Sequence, residues 1–191
     1  MQKMDQLTQK LKSLSKLSED SLNAIFEITQ LVTFKKGDIV QEIGKTCKNL
    51  YFINQGCLRI FYLKDGTDIT ESFEFENSFV ARGESLLTMK PSNKGIEAVE
   101  NSEIMQINTP KLFELFEKNI EIERAFHRII EQSYIQQINR LESLQFHTAE
   151  ERYKQLFEEK NEAILRIPLK FIASYLGITQ VSLSRIRAQV K

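Results

Sequence analysis

Tryptophan is absent from this chain of 191 residues, and proline (3), cysteine (2) and histidine (2) are scarce. Cys47 and Cys57 cannot build a disulfide framework or supply the roughly four thiolates of an iron–sulfur cluster. So few cysteines fit a reducing compartment, and the expected location is the cytoplasm. Cys57 lies in a strand-like run and is expected in the core. His127 and His147 stand twenty residues apart on separate expected helices, so no haem, zinc or other metal site is expected from them. His147 precedes a helix cap and is expected at a hinge or on the surface. No histidine lies in residues 30–108, which removes the metal set that an enzyme on a β-barrel would use, and no catalytic residues are expected. No apolar run of about 18 residues occurs, so no membrane-spanning helix is expected. Met1-Gln2-Lys3-Met4-Asp5 lacks an apolar stretch, so no secretory signal is expected either. A surplus of one charge is missing too, since 26 basic residues balance 26 acidic ones. What remains, 41% hydrophobic and 27% charged residues, is the composition of a globular protein with enough apolar material for a core.

The balance of charge conceals a gradient. Residues 147–191 hold eight basic and five acidic side chains, a net +3 against −3 for residues 1–146. After Glu162 there is no acid, only Arg166, Lys170, Arg185, Arg187 and Lys191. A basic end on a neutral protein suits a polyanion bound at that end, and it also suits a solvated helix terminus.

Hydrophobic spacing divides the chain into three regions. Residues 5–29 read as helical, with Leu7, Leu11, Leu14 and Leu17 at three to four residues, then a fresh N-cap at Ser18-Glu19-Asp20-Ser21 before Leu22, Ile25 and Phe26. Residues 30–108 are punctuated by Gly37, Gly44, Gly56, Gly66, Gly83 and Gly95. Between them lie β-branched and aromatic runs such as Leu31-Val32-Thr33-Phe34, Leu50-Tyr51-Phe52-Ile53, Leu58-Arg59-Ile60-Phe61-Tyr62-Leu63 and Ile104-Met105-Gln106-Ile107. Asp65-Gly66 signals a hairpin, and the whole predicts a small β-barrel or roll. From Thr109-Pro110, read as an N-cap and first helical position, the pattern is helical again. After Asn119 one apolar stripe runs through Phe126, Ile130, Tyr134, Ile138, Leu141 and Leu144, a mean spacing near 3.6. Ile122, Ala125, Ile129 and Ile135 widen it. A helix with so broad an apolar surface either packs wholly on its own domain or packs one edge on a second copy. The second reading makes Phe126, Ile130, Tyr134, Ile138 and Leu141 a dimer interface.

Residues 146–191 predict a compact helical unit. Thr148-Ala149-Glu150-Glu151 is a capping box, followed by a helix with Tyr153, Leu156 and Phe157, then extended Ile167-Pro168-Leu169. The next segment, from Phe171 to Arg187, reads as helix, tight turn, helix. Ile172, Ala173 and Leu176 form an inner face, and small Ala173 admits a crossing helix. Gly177 takes the left-handed stop, Ile178 plugs the core and Thr179 caps the second helix. Leu183, Ile186 and Val190 are that helix's inner face. Its outer face carries Val181, Ser184, Arg185 and Ala188, flanked by Gln180, Ser182 and Gln189, with no acid among them. Such a helix suits a DNA major groove. Arg185 can donate two bonds to a guanine edge, Gln180 can read adenine, and Val181 can touch a thymine methyl. Thr179, Ser182, Lys170 and Arg187 are candidates for phosphates.

Glycine-punctuated strands, a long helix and the terminal segment Ile172-Ala173-Ser174-Tyr175-Leu176-Gly177-Ile178-Thr179…Leu183-Ser184-Arg185-Ile186 together resemble the CRP/FNR superfamily of bacterial transcription regulators, over nearly the whole chain. The resemblance implies an α+β fold class: a double-stranded β-helix (jelly-roll-like) effector domain over 1–118, a dimerisation helix over 119–146 and a winged-helix-like helix-turn-helix domain over 147–191. It implies a cytoplasmic homodimer on a near-palindromic duplex operator, with RNA polymerase as a further partner and no membrane. Arg185 matches the guanine-reading arginine of the family. Val181 replaces a frequent glutamate that accepts from cytosine, so the family's best-known operator is not expected. The wing hairpin that often follows the recognition helix is not expected here.

The resemblance also implies an effector site, where a Gly-Glu pair opens a short helix around a phosphate and an arginine follows. Gly83-Glu84-Ser85 is similar. Lys94 stands at the later position in one register and Ser92 in another, while Arg82 can offer charge to an acidic effector. Lysine meets a phosphate only as a point charge. Cyclic AMP, another small ligand and no ligand all stay open, and no cofactor is required. A competing function is a nucleotide-sensing module that acts through a protein partner. That reading expects an acidic or apolar outer face on the last helix, and the sequence has neither.

Overall fold

The computed structural model describes residues 2–189, and the side chains of 4–158 and 164–189. Val190 and Lys191, and the side chains of Glu159, Lys160 and Glu162, lie outside the described residues. Two antiparallel sheets form the body. One has the order β1 (Thr29–Phe34), β8 (Ser102–Asn108), β3 (Asn49–Gln55), β6 (Phe79–Val80). The other runs β2 (Ile39–Gln41), β7 (Gly95–Ala98), β4 (Leu58–Lys64), β5 (Thr67–Glu74). Asp65 and Gly66 both have positive φ, 51° and 76°, in the β4–β5 turn, the conformation that Asp-Gly hairpins favour.

Alternation along the strands sorts side chains between two cores. Tyr51, Ile53, Leu58, Ile60, Val80, Ile96, Ala98 and Ile104 fill the space between the sheets. Phe52, Met105 and Ile107 face outward, against α1 (Gln2–Leu14), α2 (Glu19–Glu27), α4 (Thr109–Phe116) and the start of α5 (Ile120–Phe146). Ser18 caps α2 as expected, its hydroxyl accepting from the Ser21 N–H. The cap of α4 falls one residue earlier than Thr109-Pro110 suggested. Asn108 accepts from the Lys111 N–H, so Thr109 is the first helical residue and Pro110 the second. Asn119 caps α5, and Glu121 in its first turn accepts from the Ser18 N–H and from the Ser18 and Ser21 hydroxyls. Those bonds, the Ser18 N–H first, hold the Glu121 carboxyl below its ordinary pKa.

The 27 residues of α5 span about 40 Å. Its apolar side is buried by this chain only over the first turns, through Ile122, Ala125 and Phe126. Phe126 therefore leaves the expected dimer set. It is 3% exposed and packs against Phe79 and Phe116, because the start of the helix lies on the roll rather than beyond it. Further along, Ile130, Tyr134, Ile138 and Leu141 are exposed, Tyr134 by 66%. After α5 come α6 (Ala149–Ile164), a short α3 having occurred earlier at Gly83–Thr88, and then α7 (Leu169–Leu176) and α8 (Gln180–Gln189).

Candidate nucleic-acid interface

The helix-turn-helix follows from local bonds. Thr148 and Glu151 cap α6 reciprocally: each side chain accepts the other's N–H, at 3.2 and 2.7 Å. Pro168 precedes α7, whose Phe171, Ile172, Ala173 and Leu176 are buried. Gly177, at φ 70°, ends the helix, and a residue with a Cβ is strained there. The Ile178 N–H donates to the Ala173 carbonyl and the Gly177 N–H to that of Ser174, both at 3.0 Å, which is the paired closure of a left-handed helix stop. Thr179 then caps α8 by accepting from the Ser182 N–H at 3.1 Å. Leu183, fully buried, and half-buried Ile186 hold α8 onto α7; Val190, expected beside them, lies outside the described residues.

The outer side of α8 faces solvent. Gln180, Val181, Ser184 and Arg185 are exposed, while Ser182 and Arg187 are half-buried. The Ser184 hydroxyl is turned back onto the Gln180 carbonyl, and the Thr179 and Ser182 hydroxyls contact each other at 3.0 Å. Among the described residues neither Arg185 nor Arg187 is engaged in an ion pair. Lys170 is exposed on α7, its ammonium 4.6 Å from the Phe171 ring. The eight residues expected at DNA therefore share one two-helix unit, with an exposed arginine and no acid on its outer helix.

Sequence reasoning missed what holds this unit in place. Arg59, on the outward face of β4, is 2% exposed and donates to Asp68, Glu97 and Thr70. Its guanidinium lies 3.8 Å over the Phe171 ring of α7. The Ser174 hydroxyl accepts from the Thr70 N–H at 2.8 Å and donates to the Asp68 carbonyl. Arg166 makes a two-pronged pair with Glu76, 2.8 Å on each side, and reaches Glu100 at 3.2 Å. This pair, above all its hydrogen bonds, pulls the Glu76 carboxyl down to about 2. Cys57, in this shared core as expected, has its thiol pushed well up by burial. The one visible signal in the sequence was an arginine amid the apolar run 58–63.

The six effector candidates do not form a phosphate cradle. Ser85 accepts from the Cys47 N–H and donates to the Lys90 carbonyl, and the Ser92 hydroxyl is tied to the Lys94 backbone. Lys94 pairs with Glu71 at 2.5 Å. Glu84 is exposed, and Gly83 opens α3 with nothing near it that would exclude a Cβ. Arg82 is buried, with its Nε lacking an acceptor. With these hydroxyls and the lysine engaged elsewhere, and the space between the sheets filled by Tyr51, Ile53 and Ile60, the residues do not fit a cyclic nucleotide held by phosphate and ribose.

Residues 31–119 match the family model of the cyclic nucleotide-binding domain. Solved structures share the architecture over most of the chain. FixK2 from Bradyrhizobium japonicum superposes with a TM-score of 0.75 at 16% identity, covering 85% of this chain and 84% of that one. A protein from Eubacterium rectale assigned to the CRP/FNR family of transcriptional regulators gives 0.71 at 18% identity, covering 91% and 83%. The fold is that of the CRP/FNR family. CLP of Xanthomonas campestris, described as a c-di-GMP-responsive global regulator, has this CRP/FNR fold too, with a TM-score of 0.70, 12% identity and 91% of each chain covered. No curated protein matches the chain by sequence. Within the CRP/FNR fold, α7 and α8 stand as the helix-turn-helix and α5 as the long helix, while no described helix is long and apolar enough to cross a membrane.

Proposed function

We propose that the chain is a sequence-specific, DNA-binding transcription regulator that works as a cytoplasmic homodimer. The observation that carries this reading is α8. It is capped by Thr179, stopped off from α7 by Gly177, anchored by Leu183, and exposes Gln180, Val181, Ser184 and Arg185 without an acidic neighbour on that face. Two copies joined along Ile130, Tyr134, Ile138 and Leu141 present two such helices to successive major grooves of a near-palindromic operator. In this reading Lys170, Thr179, Ser182 and Arg187 set register on phosphates, and Arg185 reads a base. RNA polymerase is the downstream partner, and the residues at the roll favour an effector other than cyclic AMP. No catalytic step is assigned to the chain.

Selection of bound duplexes from fragmented genomic DNA of its host tests the reading. A recurring, inverted-repeat motif is expected, with an affinity whose logarithm falls linearly with that of salt, by about 0.9 per phosphate neutralised. Equal binding of every duplex and random competitor would overturn it.

A further inference from the structure

We propose that the cleft between β5, α5 and α6 binds a small phosphorylated metabolite of sugar-phosphate size, with the phosphate between Arg140 and Arg152. The cleft encloses about 270 Å³ and opens where the roll, the long helix and the helix-turn-helix meet. Arg140 comes from α5 and Arg152 from α6, and both line it. The other cations of this junction each close on a carboxylate: Arg59 on Asp68, Lys94 on Glu71, Arg166 on Glu76. Among the described residues no carboxylate pairs with Arg140 or Arg152. Arg140 donates to the Tyr175 carbonyl and stacks 3.7 Å from that ring; Arg152 donates to the carbonyls of His147 and Leu176, and its Nε is buried without an acceptor. Carbonyls offer partial charge only. Burial draws the Arg140 guanidinium below its ordinary pKa, with the Arg152 charge adding to it and Tyr175 and the Glu71 carboxylate opposing it. Two neighbouring guanidiniums with spare forked donors fit an oxyanion.

The opposite wall selects the rest of the ligand. Glu71 is held by Lys94, and Glu74 accepts from the Ser72 hydroxyl at 3.1 Å. A second anionic group would meet these carboxylates, whereas hydroxyls can donate to them and to the cleft's amide side chains. One phosphate carried by a polyhydroxylated body satisfies both walls. On α5, at 100° per residue, Arg140 lies roughly 115° round from the mean direction of Ile130, Tyr134, Ile138 and Leu141, so it flanks that stripe rather than belonging to it. Binding also has a consequence for the helix-turn-helix. The guanidiniums whose spare donors a phosphate recruits are those that also hold the carbonyl end of α7 at Tyr175 and Leu176.

Titration calorimetry on the full chain without DNA tests the site, so the result is independent of whether an operator is bound. The probes are glucose 6-phosphate, ribose 5-phosphate, glucose and inorganic phosphate. At least one sugar phosphate is expected to bind saturably, about tenfold or more tighter than glucose or phosphate. Arg140→Gln and Arg152→Gln are each expected to weaken it about tenfold or more, the range for losing a charged hydrogen bond. Ser143→Phe, which fills the cleft and leaves both arginines in the chain, is expected to abolish it and stands in should an arginine variant not fold. No saturable binding of either sugar phosphate at 10 mM, or equal affinity for glucose or inorganic phosphate, overturns the proposal. So does binding unchanged in Ser143→Phe.

Discussion

Arg185 and Glu76 carry opposite kinds of consequence, one for recognition and one for stability. Arg185 is exposed on α8 and uncommitted to any described carboxylate, so its five donors are available to a base edge. Arg185→Ala is expected to weaken operator binding by about 1–3 kcal/mol and to relax one base position in the selected motif. Lys170→Gln, by contrast, is expected to weaken all sequences alike and to lower the salt slope by about one. Parallel binding isotherms over a salt series separate the two, and an unchanged motif for Arg185→Ala would remove it as the reader. Glu76 titrates differently in the folded chain and in the unfolded one. Its pKa falls to about 2 beside Arg166, from an unfolded value near 4.5. A lowered carboxylate pKa means that the folded state holds the proton less tightly. The stabilisation is therefore complete above about pH 4.5 and is lost as the pH falls towards 2. Thermal melts between pH 5 and 2 are expected to fall less steeply for Glu76→Gln than for the parent chain. Identical slopes would mean that the pair contributes nothing in solution.

At the scale of elements, α5 makes the firmest demand. Its early turns are buried on the roll, while Ile130, Tyr134, Ile138 and Leu141 stay exposed over the following three turns. An apolar seam of this kind is unfavourable in water and satisfied by a second copy of itself. Ile138→Glu, alone or with Ile130→Glu, is expected to shift the chain from dimer to monomer in sedimentation at micromolar concentration, with the melting of the roll little altered. A parent chain that already sediments as a monomer would overturn the seam. Much at this scale was legible beforehand, and the reason is locality. The capping box at Thr148, the stop at Gly177 and the cap at Thr179 are written within three or four residues. The alternation of β3 and β4 is written within seven. Where two neighbours have equal capping chemistry, as Asn108 and Thr109 do, sequence does not choose between them, and the strand register places Asn108 at the boundary. Periodicity likewise found the stripe on α5 but not which end of it the roll covers, which is why Phe126 was placed with the exposed residues. The effector set was read from a likeness of spacing, and spacing is silent on where Ser85, Ser92 and Lys94 spend their donors.

The whole molecule is coupled through contacts between residues 66 (Glu100–Arg166) to 112 (Arg59–Phe171) positions apart, and these left little trace in the sequence. Cys57, Phe75 and Val99 of the roll share one core with Tyr153, Ile167, Phe171 and Leu183 of the helical unit. Around it, Arg59 meets Phe171, Thr70 meets Ser174, and Arg166 meets Glu76 and Glu100. A continuous core makes the roll and the helix-turn-helix unfold together, and it makes any movement of β4 and β5 an event felt at α8. Arg166 is the part of this junction that can be changed without opening a cavity. Replacing it by glutamine removes the ionic attraction across the junction and leaves Glu76 and Glu100, both on the roll, facing each other without their shared cation. Scanning calorimetry of the parent chain is therefore expected to show one transition. Arg166→Gln is expected to show an earlier, separate transition for residues 147–191, with the roll melting afterwards, somewhat below its original temperature because Glu76 and Glu100 then repel. In Arg166→Gln combined with Glu76→Gln the repulsion within the roll is relieved, so the roll's transition is expected to move back up while the early transition of residues 147–191 remains. A single unshifted transition in Arg166→Gln would mean that apolar contact alone joins the two units, and that the ionic ring around it serves neither cohesion nor the transfer of strain to α8.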